Sequence, residues 1–106
     1  MALDLRRAAA LSDTVWDAHI LPALHDYIRI PNVSVAYDAD WEANGHMERA
    51  VTLVRQWCES RPIDGITVDV SRLEGRTPVV IVEIPATPGC PPDAGTVLLY
   101  GHLDKQ

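Results

Sequence analysis

The chain lacks the long apolar runs, the basic stripe and the paired cysteines that would mark a membrane-borne, nucleic-acid-binding or disulfide-stapled protein. No purely apolar run exceeds four residues, against the ~20 that a membrane-spanning helix needs. The amino-terminal stretch MALDLRRAAALSDTVW places Asp4, Arg6 and Arg7 where a secretory signal needs an apolar core. Cysteine is confined to Cys58 and Cys90, with no Cys-x-x-Cys spacing and nothing to indicate an oxidising compartment. Nine Lys and Arg stand against fifteen Asp and Glu, a formal net charge of -6, and no cationic stripe exists to neutralise phosphates. Internal repeats and low-complexity tracts are also missing. These absences lead to the expectation of a soluble, cytoplasmic protein with neither membrane nor nucleic acid as a partner.

What is present is globular material, 47% apolar and 23% charged over 106 residues, the size of one small domain. Leu11, Val15, Trp16, Ile20, Leu24, Tyr27 and Ile28 recur at three- and four-residue steps, which predicts a first helix with Ser12 as its N-cap and Asp13 in its first turn. Pro22 lies inside this pattern and predicts a kink or break near Ile20–Leu21; Pro31 ends the helix. After a loop over residues 31–40, a second helix is expected over roughly Trp41–Ser60, with Met47, Val51, Val54 and Cys58 on one stripe. Gly45 weakens its first turns and moves its start towards His46.

After Arg61-Pro62 the period changes to two. Ile66, Val68 and Val70 alternate with Thr67, Asp69 and Ser71, a glycine turn spans Leu73–Thr77, and Pro78–Ile84 reads as the returning strand of an antiparallel hairpin. Four prolines and two glycines between Pro85 and Gly95 exclude regular structure there. Thr96–Tyr100 reads as a third strand, its unbroken Val-Leu-Leu-Tyr run suited to burial on both faces. Two helices followed by three strands predict an α/β class with a mixed sheet flanked by helices. The most apolar strand comes last, with little to cover it, so the chain is expected to be unstable or aggregation-prone alone.

Gly101, His102 and Asp104 follow that strand. Positions i and i+2 of an extended chain share a side, so the Asp104 carboxylate can accept a hydrogen bond from one imidazole nitrogen of His102. That bond fixes the tautomer and leaves the other nitrogen's lone pair for a cation. In open α/β sheets, ligands collect beyond the carboxyl ends of strands, and Gly101 lets the backbone turn tightly or approach a bound group. The spacing alone is unspecific, and its bland alternative is an exposed pair at a strand end. His19 and His25 fall on different faces of the first helix and His46 in an exposed first turn, so all three read as surface or partly packed. Trp16, Trp41 and Trp57 read as core packing, not a stacking platform. Cys58 reads as a buried free thiol. Asp38, Asp40 and Glu42 cluster without the spacing of a calcium loop.

The segment VLLYGHLDKQ as a whole resembles the first metal-binding motif of the M20 family of metallopeptidases, in which an apolar strand runs into Gly-His-x-Asp, often with Gln-Pro after it. Upstream, the first helix leading into RIPNVSV is similar to the family's opening, a helix ending in an Ile-Pro-Ser-Val-Ser-like turn. The second helix, the hairpin and PVVIVEI follow in the family's order. The resemblance covers nearly the whole chain, and only its last segment is specific. It implies that His102 is a ligand of one zinc in a two-zinc site, where manganese or cobalt can also serve. It implies that Asp104 is the carboxylate in the catalytic site that orients that imidazole. The family's bridging aspartate, Glu-Glu pair, further acidic ligand and final histidine cannot be placed on this sequence. Residues 1–106 are therefore expected to be an incomplete amino-terminal part of a single zinc-peptidase-like catalytic domain, inactive alone and without the family's lid, through which such enzymes form homodimers.

Lys105-Gln106 leans towards the carnosinase-like dipeptidases, which read Gly-His-x-Asp-x-Gln-Pro. The implied reaction is metal-assisted hydrolysis of the amide bond of a dipeptide or short peptide, in which two cations activate a bridging water and polarise the carbonyl. Two other readings stand beside it. One is an M20-like deacylase or desuccinylase acting on N-acyl amino acids. The other is a non-catalytic α/β interaction domain, complete at 106 residues, in which His102 and Asp104 are incidental; it leaves the terminal strand without a covering layer.

Overall fold

The computed structural model describes residues 2–106 and divides the chain into two compact units at the Ile30–Pro31 junction. In the first unit, Asp4 is extended and its Oδ1 accepts the Arg7 N–H at 3.0 Å, capping α1 (Leu5–Val15). Ser12, the expected cap, lies inside this helix and its Oγ donates to the Ala8 carbonyl at 2.9 Å. Ala8, Ala9 and Ala10 carry the helix back beyond its apolar stripe. Alanine extends a helix without needing an apolar face, and a mid-helix serine satisfies its hydroxyl on the carbonyl four residues back.

The expected kink is a widened turn. Trp16–Ile20 is a π-helical turn between α1 and α2 (Leu21–Arg29), and the Leu21 N–H reaches the Trp16 carbonyl five residues back. Pro22 has no N–H and its ring collides with the carbonyl four residues earlier in a regular helix. One π-type turn ahead of it relieves the collision without ending the helix. Ile30 (φ -80°, ψ 119°) leaves the helical region immediately before Pro31.

In the second unit the single helix expected over 41–60 is two. Gly45, at φ 76°, separates α3 (Trp41–Asn44) from α4 (His46–Glu59). This left-handed angle is easy for glycine alone. Met47, Ala50 and Val51 are buried at the helical spacing anticipated, with Leu53, Val54, Trp57 and Cys58 half-buried beside them. Their face packs on a hairpin of β1 (Thr67–Ser71) and β2 (Val79–Glu83). The strands are antiparallel with Asp69 opposite Ile81, and Val68 and Val70 are half-buried while Thr67, Asp69 and Ser71 face out. The turn closes through Arg76 N–H donating to the Leu73 carbonyl at 3.0 Å.

The described residues thus form helices followed by a small two-stranded antiparallel sheet. The third strand and the mixed sheet are not formed: Val97, Leu98, Leu99 and Tyr100 are 86–90% exposed and belong to no strand. An unbroken apolar run expresses a preference for burial, but a strand also needs an edge to pair with and layers to cover it. Among the described residues no helix is long and apolar enough to cross a membrane.

Candidate functional site

His102 and Asp104 meet. The imidazole Nδ1 lies 3.0 Å from Asp104 Oδ1, although the segment between them is not a regular strand. A carboxylate accepts and does not donate, so Nδ1 carries a proton, and in the neutral ring Nε2 keeps its lone pair. The Tyr100 hydroxyl stands 3.3 Å from Nε2, and the two rings meet edge to face with centroids 5.5 Å apart. Tyr100 was not singled out from sequence; its i, i+2, i+4 parity with His102 and Asp104 is the signal that could have found it.

The pair is unequally covered. The His102 side chain is 72% exposed and that of Asp104 26%. Backbone order comes from residues 32–34, which make a parallel bridge to this segment at Val33–Lys105. Lys105 N–H donates to the Asn32 carbonyl at 3.0 Å and Ser34 N–H to the Lys105 carbonyl at 2.7 Å. The Asn32 side chain, 1% exposed, donates from Nδ2 to the Leu103 carbonyl at 2.9 Å and accepts from Lys105 Nζ at Oδ1. Partial burial holds the Lys105 amine below the usual lysine range. Asn32 lies in the RIPNVSV turn, but no spacing in the sequence marks it as a partner of Leu103 and Lys105.

The other candidates lie elsewhere. His19 and His25 are exposed. His46, expected to be exposed, is half-buried, and its Nδ1 is buried with no hydrogen-bond partner among the described residues. Trp16, expected in a core, is 47% exposed, whereas Trp57 is half-buried and carries the Arg61 guanidinium 4.2 Å above its ring. Asp38 serves structure: Oδ1 accepts the Asp40 N–H at 3.1 Å and Oδ2 the Asn44 side-chain amide at 2.7 Å. Cys58, expected to be buried, is half-buried, with burial raising its thiol pKa above the usual value; Cys90 is exposed, and both are free.

A zinc ligand of the imidazole type needs a deprotonated ring nitrogen and a partner on the other nitrogen. His102 has both. A catalytic zinc also needs three protein ligands and an open position. Among the described residues no group of three or more His, Cys, Asp or Glu side chains is placed to hold a metal ion. The residues present therefore fit one ligand position and not a two-metal centre, and no hydrolytic step is assigned to them.

Comparison with protein-family models finds no match to this chain, and comparison with curated proteins finds none either.

Proposed function

We propose that residues 97–106 are the first metal-binding segment of an M20-like, zinc-dependent metallopeptidase of the dipeptidase branch. The observation that carries the reading is the 3.0 Å contact of His102 Nδ1 with Asp104 Oδ1, within a sequence, Gly-His-Leu-Asp, that resembles the family's first motif. In this reading His102 ligates one metal through Nε2 and Asp104 holds the imidazole in the ligating tautomer. The complete enzyme hydrolyses the amide bond of dipeptides or short peptides, works in the cytoplasm and pairs as a homodimer. Its general base and remaining ligands come from outside residues 1–106.

The test is hydrolysis by the product of the complete reading frame that contains these residues. Zinc-dependent cleavage of dipeptides that disappears in His102→Ala is the expected result. Cleavage of N-acetyl amino acids with dipeptides untouched would transfer the assignment to the deacylases. No metal-dependent hydrolysis of either class would overturn the enzyme reading and favour an interaction domain.

A further inference from the structure

The His102–Asp104 pair lies largely at the surface, after a run of residues with no strand partner. On its other side, Asn32 bonds the backbone on both flanks of Asp104. Asn32 Nδ2 holds the carbonyl of the peptide unit joining Leu103 to Asp104, and the Asn32 main-chain carbonyl holds the N–H of the unit joining Asp104 to Lys105. Both peptide planes that meet at the Asp104 α-carbon are thus pinned by a single residue. A side-chain oxygen on the same carboxamide receives Lys105 Nζ.

We propose that Asn32 is a positioning residue for the His102–Asp104 pair, fixing the backbone at Asp104 so that its carboxylate meets Nδ1 and Nε2 is left for a metal. The significance for catalysis rests on the metallopeptidase reading above; the geometric claim does not. Three features favour positioning over ordinary packing. The side chain is 1% exposed, so its amide must be satisfied internally. Its side-chain partners are 71 and 73 residues away in sequence, at Leu103 and Lys105. The chemistry also uses an amide donor and a carbonyl acceptor on separate atoms of one short side chain, which asparagine has and aspartate and alanine lack.

The test reads the His102 ring itself. Nitrogen NMR of the histidine rings, at a pH where they are neutral, reports the tautomer without metal, and titration with Zn²⁺ alone reports the affinity of His102. In the wild type His102 is expected in the Nδ1–H form, unlike exposed His19 and His25, and zinc is expected to shift its Nε2 signal. Asn32→Ala, with the β1–β2 amide signals unchanged, is expected to move His102 to the tautomer mixture of the exposed histidines and to weaken zinc about tenfold. Where Asn32→Ala fails to fold, Lys105→Met and Lys105→Arg replace it. Met removes one contact of the carboxamide and is expected to shift the tautomer partway, while Arg keeps a donor and restores it. A His102 tautomer unchanged in folded Asn32→Ala, or identical in Lys105→Met and wild type, would overturn the proposal. A tautomer that responds to Asn32 would uphold the clamp whatever zinc does at His102, since a single histidine falls short of the three protein ligands a catalytic zinc needs.

Discussion

Arg72 grips the Glu48 carboxylate by two hydrogen bonds, Nε to Oε1 at 3.1 Å and Nη2 to Oε2 at 2.8 Å, tying α4 to the residue after β1. The side-chain bond from Arg72 holds the Glu48 carboxyl below the usual range against the opposing effect of partial burial, with the arginine charge adding to the shift. A carboxylate whose value is depressed on folding stabilises the fold above its unfolded value, and this is lost as pH falls through the folded one. Glu48→Gln is therefore expected to lower Tm slightly above about pH 4.3, and the gap to wild type is expected to close on acidification. Both side chains are about half exposed, so added salt should shrink the gap as well. Thermal melts across pH check this; identical melting at neutral pH would show that the pair contributes nothing.

Gly65 combines a left-handed backbone with a lack of space. Its φ is 74°, and a β-carbon there would stand 2.7 Å from Cγ of the Pro85 ring. Gly75 has a similar φ, 71°, with open space around it. Gly75→Ala is expected to cost about 1–2 kcal/mol from backbone conformation alone. Gly65→Ala is expected to cost at least ~1 kcal/mol more, because a proline ring cannot swing aside and a displaced neighbour strains its surroundings. Equal losses in chemical denaturation would show that the Pro85 contact yields freely.

Much of this fold was legible in the sequence because it follows from local periodicity. The stripe of Met47 and Val51 and the alternation around Val68 and Val70 report which face is buried, and the structure buries or half-buries those faces. Boundaries were less legible: α1 begins at Leu5 and not near Ser12, since alanines carry a helix without an apolar signal. The third strand failed for a different reason. Patterning at Val97–Tyr100 records a preference for burial, whereas strand formation depends on a partner and covering layers that periodicity does not encode. At the candidate site, His102 and Asp104 could be paired from their spacing. Asn32 could not be joined to them, because its partners are distant in sequence and the RIPNVSV turn that holds it carries no sign of what its side chain meets.

The exposed run Val97–Tyr100 has a consequence for behaviour in solution. Four consecutive apolar side chains, 86–90% exposed and unpaired, form the kind of segment that associates with copies of itself. Replacing Leu98 and Leu99 together by lysine is expected to suppress concentration-dependent association seen by light scattering. The change in denaturant midpoint should be small, within about 0.5 kcal/mol, because neither side chain packs on the fold. Association unchanged by the double substitution would locate the sticky surface elsewhere, with the exposed Ile81 and Ile84 at and beside β2 the next to vary.

The Tyr100 hydroxyl occupies the nitrogen that a metal would use. At 3.3 Å from His102 Nε2 the bond is long, and both residues face solvent, so its net contribution belongs at the low end for neutral hydrogen bonds, about 0.5 kcal/mol. Tyr100→Phe removes this competitor while keeping the ring, and is expected to tighten zinc at His102 about two-fold. Asp104→Asn keeps the shape and removes the charge that supports the imidazole, and is expected to weaken zinc about tenfold or more. Titration of each variant with Zn²⁺ while following the His102 ring signals measures both, with His102→Ala as the blank. Opposite effects of the two substitutions are what a ligand with one nitrogen free and the other braced requires. Zinc affinity that falls in Tyr100→Phe would mean that the hydroxyl supports the ring and does not compete for it. Affinity unmoved in Asp104→Asn would remove the carboxylate from the role proposed for it.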